Sequence, residues 1–185
     1  MSETSTKIID LGFRIPAFNL LDTISDKPLT HQKVVGNRGT LVIFICNHCP
    51  YVLHMIREIV QIANEYTNKG IGFVAISSND ADKYPEDNPD KMKDFGLSNS
   101  FPFPYLYDET QEVARAYNAV CTPDLNLFDA KGKCVYRGQL DDSRPGNNIE
   151  VTGKDLRKAI EYVLIGRNVP TEQTPGIGCS IKWKE

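Results

Sequence analysis

No run in the 185-residue chain approaches the ~18 consecutive apolar residues that a membrane-spanning helix requires, which excludes such a span. Nor is there a surplus of positive charge: 21 Lys and Arg stand against 24 Asp and Glu, a formal net charge of −3. That balance argues against a nucleic-acid-binding protein or a cationic membrane module. The opening Met1-Ser-Glu-Thr-Ser-Thr6 has neither a basic region nor an apolar core, so no secretory leader is expected and the cytoplasm is the expected location. Internal repeats and low-complexity tracts are missing. So is EF-hand spacing, which makes Asp80, Asp82, Glu86, Asp87 and Asp90 read as a solvated loop and an acidic helix start.

What is present suits one globular domain over residues 1–185, with 41% hydrophobic and 24% charged residues. A chain of this size buries roughly 70% of its open surface, enough to fold without structural disulfides or metals. Five cysteines are an odd number, and in a reducing compartment they do not suggest a disulfide framework. Cys46 and Cys49 form a CxxC, whereas Cys121, Cys134 and Cys179 stand singly.

Residues 1–39 read as an N-terminal extension of short strands broken by turns at Pro16, Asp26-Lys-Pro28 and Gly36-Asn-Arg-Gly39. The apolar, β-branched run Thr40–Cys46 predicts a strand buried on both faces. Pro50–Asn68 predicts a long helix, with Val52, Ile56, Ile59 and Ala63 at helical spacing, Pro50 in the first turn and Gly70 as the stop. Ile71–Ser77 is a second buried strand, so the order is a βαβ unit with a parallel pair. A central insertion follows, with a short helix over Pro89–Phe95 ending at Gly96. Asp108–Tyr117 is read as a helix with Asp108 and Gln111 as its capping box. Leu125–Phe128 and Cys134–Arg137 form a hairpin. The last helix runs from about Gly153 to Ile165 with Thr152 as its cap, and the Pro- and Gly-bearing tail 170–185 is expected to be irregular.

Cys46-Asn-His-Cys49 falls where a buried strand hands over to a helix. Thiol exchange needs a thiolate, and the amides at a helix N-terminus aim partial positive charge at one. The spacing lets the second sulfur reach the first over one turn. Two bland readings compete: half of a zinc site, or two buried thiols. Zinc wants four ligands, and no second CxxC or CxxH exists, so no metal is expected. No organic cofactor is needed either, because a cysteine pair itself carries the electrons.

Cys46-Asn-His-Cys-Pro-Tyr51, Ser78-Asn-Asp80, Tyr84-Pro-Glu-Asp87, Cys121-Thr-Pro-Asp124, Asp141-Asp-Ser-Arg-Pro145 and Gly178-Cys-Ser-Ile-Lys-Trp183 together resemble the thioredoxin-like superfamily. Within it the chain is similar to the peroxiredoxin-like branch that joins TlpA-type thiol-disulfide oxidoreductases to the AhpC/TSA-related peroxiredoxins. The resemblance implies an α/β thioredoxin fold, a central mixed sheet flanked by helices. It also implies that Cys46 is an exposed attacking thiol, that Cys49 resolves the mixed disulfide, and that Thr122 and Pro123 form a cis-proline edge on which substrate docks. Thioredoxin keeps a buried aspartate six residues before its first cysteine. Thr40 stands there instead, so proton removal from Cys49 must use water or another group.

His48 precedes the second cysteine, as a histidine does in the bacterial oxidase DsbA. A thiolate pKa lowered by two units corresponds to about 2.7 kcal/mol, and stabilising the reduced form makes a disulfide more oxidising. On that basis Cys46 is expected to titrate below pH 7. An exposed, inert His48 is the alternative. The implied partners are protein disulfides or dithiols and a thiol electron donor, with no nucleic acid and no membrane. A rival reaction is peroxide reduction by Cys49 or Cys46, with Arg115 or Arg137 as candidate helpers, although Cys46 stands where peroxiredoxins carry a threonine. A redox-sensing or binding module without turnover is the third possibility. Cys179 could serve as an accessory thiol, or its tail could simply dock Ile181 and Trp183. Cys121 and Cys134 read as small buried hydrophobes.

Overall fold

A computed structural model describes residues 3–7 and 10–185. Met1 and Ser2, part of the stretch read for a leader, lie outside the described residues. Among those described, no helix is long and apolar enough to cross a membrane.

The expected βαβ unit is β4 (Gly39–Phe44), α2 (Pro50–Tyr66) and β5 (Ile71–Ser77), with β4 and β5 parallel. Successive side chains of β4 point to opposite faces, and both faces are covered. Leu41 and Ile43 meet α2 and α5 (Lys154–Leu164) through Ile59, Ile62, Leu156 and Ile160. Val42 and Phe44 pack on the other side with Val113 and Ala114 of α4 (Glu112–Ala116) and with Val34 of α1 (His31–Val34). The hairpin β8 (Asp124–Asp129) and β9 (Cys134–Tyr136) adds antiparallel strands beside β4. On the far side, β6 (Tyr105–Tyr107) lies parallel to β5. The N-terminal hairpin, β2 (Asn19–Asp22) and β3 (Lys27–Thr30), then extends the sheet to the order β3-β2-β6-β5-β4-β8-β9. This is the thioredoxin-type mixed sheet with front strands and an inserted α3 (Pro89–Ser98).

Several local expectations are corrected. The tail 170–185 is irregular as expected except at Ile177–Ser180, which forms β10 between β1 (Glu3–Ser5) and β7 (Cys121–Thr122) in a second, antiparallel sheet. Gly96 does not end α3 but sits buried within it against Ile24, and the helix runs on to Ser98. Asp108 and Gln111 do not form a capping box. The Asp108 carboxylate accepts the amides of Val113 and Ala114, while Gln111 adopts a left-handed conformation and donates to the carbonyls of Ser78 and Lys182. Thr152 does not cap α5. The residue before that helix is Gly153, at φ 63°, and Asp141 reaches across to accept the amides of both Thr152 and Gly153. In the same loop the Arg144 guanidinium donates to the carbonyls of Asp141 and Ser143 and to Gln139 Oε1.

Candidate active site

Cys46 and Cys49 stand at the junction of β4 and α2. Cys49 is the residue directly before the helix, in extended conformation, and Pro50 occupies the first helical position, where a missing amide leaves no donor unpaired. The Thr122–Pro123 peptide bond is cis. Thr122 touches both cysteines: its Oγ1 is 3.4 Å from Cys46 Sγ, and its carbonyl oxygen lies 3.1 Å from Cys49 Sγ, accepting from the thiol. The three groups inferred from separate stretches of sequence therefore converge.

Neither sulfur is open to solvent. Cys46 is 1% exposed and Cys49 is fully buried, which corrects the expectation of an exposed attacking thiol. The cover comes from β10, whose Cys179 is in register with Thr122, so the strand edge expected to be free for a substrate is already paired. Cys179 Sγ lies 2.9 Å from Cys49 Sγ.

The charge distribution reverses the expected order of ionisation. Cys49 is held low, at about 5, chiefly by its contact with Cys46, against burial, and further by the Cys179 thiol and the backbone amides of Val52 and Cys179. The Thr122 carbonyl opposes ionisation, since Cys49 must give up that bond to become a thiolate. Cys46 is pushed the other way by its contact with Cys49, by burial and by the negative charge of Asp87. Both directions favour the negative charge on Cys49 rather than on Cys46.

His48 does not serve Cys46 as a cationic neighbour alone. Its Nδ1 is 2.9 Å from Asp87 Oδ2 and 3.8 Å from Glu86 Oε1, out of line for a directed hydrogen bond, so the contact is an ion pair. The Asp87 carboxylate raises the His48 pKa, with partial burial opposing it, and the ring stacks on Tyr84 at 6.0 Å between centroids. Asp87 is itself fully buried, accepting from the Asn47 amide at 2.8 Å and from Asn79 Nδ2 at 2.7 Å. Tyr105 OH in turn donates to Asn47 Oδ1. This corrects the reading of Asp87 as part of a solvated acidic loop, and Asp80 is buried as well; Asp82, Glu86 and Asp90 are exposed as expected. No periodicity marks Asp87, because it lies in the short 3₁₀ turn Pro85–Asp87.

Among the described residues, Cys46, His48 and Asp87 each offer a ligand atom within 4.8 Å of the others. Structural zinc takes four protein ligands, and this group supplies three. Thr40 Oγ1 accepts the Gly36 amide, so it is tied to the backbone. The candidate arginines are engaged elsewhere. Arg137 forms a buried pair with Asp124 and donates to the carbonyls of Tyr117 and Asn118, while the Arg115 guanidinium lies 4.5 Å from the Trp183 ring centroid. Cys121 and Cys134 are buried as expected.

A mixed sheet with a cysteine pair at the start of its first long helix, facing a cis-proline, defines a thioredoxin-like thiol redox protein. The chain belongs to the Redoxin family, whose profile matches residues 11–156. A comparison with curated proteins gives no match. Among solved structures, the chain is similar to an uncharacterized conserved protein from Geobacillus kaustophilus, with 53% identity, a TM-score of 0.97 and coverage of 100% of this chain and 97% of that one. It is also similar to a hypothetical protein from Sinorhizobium meliloti, with 42% identity, a TM-score of 0.95 and 98% of each chain covered. A secreted Mycobacterium tuberculosis disulfide oxidoreductase homologous to E. coli DsbE shares the fold at 15% identity and a TM-score of 0.59, over 80% of this chain and 95% of that one.

Proposed function

We propose that the chain is a thiol-disulfide oxidoreductase whose redox couple is Cys46–Cys49. One observation carries the reading: both sulfurs lie against Thr122, beside the cis-proline, at the N-terminus of α2. The Cys49 thiolate attacks one sulfur of a protein disulfide and expels the other as a thiolate. Cys46 then loses its proton and attacks Cys49 in the mixed disulfide. The substrate leaves as a dithiol, and its two electrons come from the Cys46–Cys49 pair, which is left oxidised. A thiol donor in the cytoplasm returns those electrons, and the same steps in reverse oxidise a dithiol.

Reduction of insulin disulfides by the reduced protein tests it. Activity abolished by Cys49→Ser, and by Cys46→Ser in a Cys179→Ser background, is expected; full activity in both refutes the couple. The order of attack is read in a Cys179→Ser background, where the mixed disulfide accumulates on adding Cys46→Ser if Cys49 attacks first and on adding Cys49→Ser if Cys46 does.

Peroxide reduction is the second reading, favoured by the low pKa of Cys49 next to Pro50. Against it, Cys46 occupies the threonine position, and both candidate arginines have other partners. Peroxide consumption without insulin reduction would favour it. Activity in neither assay, with cysteines inert to alkylation, would favour a binding module.

A further inference from the structure

Within the tail expected to be irregular, one segment is built as a fixed strand, and its cysteine meets the redox pair. β10 is held on one edge by β1, where Glu3 faces Cys179, and on the other by β7, where Thr122 faces Cys179. Tyr51 of α2 donates to Glu3, which ties β1 to the helix that carries Cys49. Gly178 lies flat on the docking peptide: a Cβ there would stand 2.0 Å from the Thr122 carbonyl oxygen. Beyond β10 the chain stays anchored. The Lys182 carbonyl accepts the Asp80 amide while its own amide donates to Asn79 Oδ1, the Lys184 amide donates to Gln111 Oε1, and Ile181 is buried. Cys179 is therefore no loose thiol. Its sulfur is placed 2.9 Å from Cys49 Sγ, less than about 1 Å beyond the roughly 2.05 Å of a disulfide bond.

We propose that Cys179 is a third redox-active thiol that accepts the disulfide from the Cys46–Cys49 couple, so that Cys49 shuttles between two partners. The inference rests on the thiol-exchange reading above. In the step, Cys179 gives up its proton and its sulfur attacks Cys49 Sγ. The Cys49–Cys179 bond forms as the Cys46–Cys49 bond breaks, and Cys46 leaves with the electron pair and takes up a proton. No electrons are gained or lost overall, so no further oxidant is needed. Thr122 touches Cys46 through its hydroxyl and Cys49 through its carbonyl, and is the strand partner of Cys179. Burial and the neighbouring Cys49 sulfur hold Cys179 protonated in the reduced protein, at about 12, where it supports the Cys49 thiolate. In the oxidised protein that neighbouring negative charge is gone.

Trypsin makes the two linkages easy to separate. Cys46 and Cys49 share the peptide 39–57, whereas Cys179 lies in 168–182, so only the relay joins two peptides. The full chain is oxidised with oxidised glutathione, capped with an alkylating agent, digested and analysed by mass spectrometry. The expected result in the wild type is a cross-linked pair joined through Cys49 and Cys179. In Cys46→Ser it should become the main linkage of Cys49, and in Cys179→Ser it should be lost while the Cys46–Cys49 loop persists. If the wild type forms the Cys46–Cys49 disulfide and reduces insulin but never gives the cross-linked pair, the relay is overturned and the exchange reading stands. If no disulfide forms at any of the three cysteines, both are overturned.

Discussion

His48 Nδ1 lies 2.9 Å from Asp87 Oδ2, and that carboxylate is fully buried. The histidine beside the second cysteine therefore faces the same carboxylate whose charge bears on Cys46. Asp87 raises both groups, His48 by attraction and Cys46 by repulsion.

A pH dependence follows from this pair. The folded pKa of His48 is raised above 6.5, so the stability contributed by its charged form is fully present below the unfolded value and is lost as pH rises through the folded one. His48→Gln should cost on the order of 1 kcal/mol at pH 5.5 and less at pH 8.5. Urea denaturation at the two pH values measures the difference, and an equal loss at both would contradict the ion pair.

The location of the thiolate is a second prediction. Absorbance at 240 nm should show a transition at about pH 5 in the reduced protein. It should disappear in Cys49→Ser and persist, displaced upward, in Cys46→Ser, because Cys46 is the largest single influence lowering Cys49. A transition lost with Cys46 and retained with Cys49 would restore the order of ionisation expected from the CxxC alone.

Gly178 tests the seating of β10. A Cβ at 2.0 Å from the Thr122 carbonyl oxygen cannot be accommodated by a side-chain shift, because the obstacle is backbone. Gly178→Ala should destabilise the protein by about 1–3 kcal/mol. It should also alter the emission of Trp183, the single tryptophan, which lies under the Arg115 guanidinium. An unchanged urea midpoint with unchanged emission would show that the strand is not clamped there.

The elements legible in the sequence are those whose signal is local. The β4 run is apolar throughout because both faces are covered, and α2 repeats its buried residues at helical spacing. Cys46 and Cys49 are legible for the same reason, at a strand end and a helix start, whereas Thr122 and Pro123 enter only through the family resemblance, because a Thr-Pro step by itself is an ordinary strand-initiating pair. What escaped depends on distant partners. β10 is four residues with glycine and a serine, and it exists because β1 and β7 flank it. Asp87 is buried because Asn47, Asn79 and His48 surround it, from 40, 8 and 39 residues away. The start of α5 is satisfied by Asp141, whose carboxylate lies outside any local capping pattern. Gly96 reads as a helix stop but serves close packing against Ile24.

The reduction potential of the Cys46–Cys49 couple bears most directly on the central claim. Glutathione redox buffers, followed by thiol trapping and peptide analysis, report it. A two-electron transition at these residues is predicted, at a potential more positive than the roughly −270 mV of thioredoxin, because a stabilised Cys49 thiolate favours the reduced form. A transition more negative than that value, or two cysteines that stay reduced across the whole range, would contradict it.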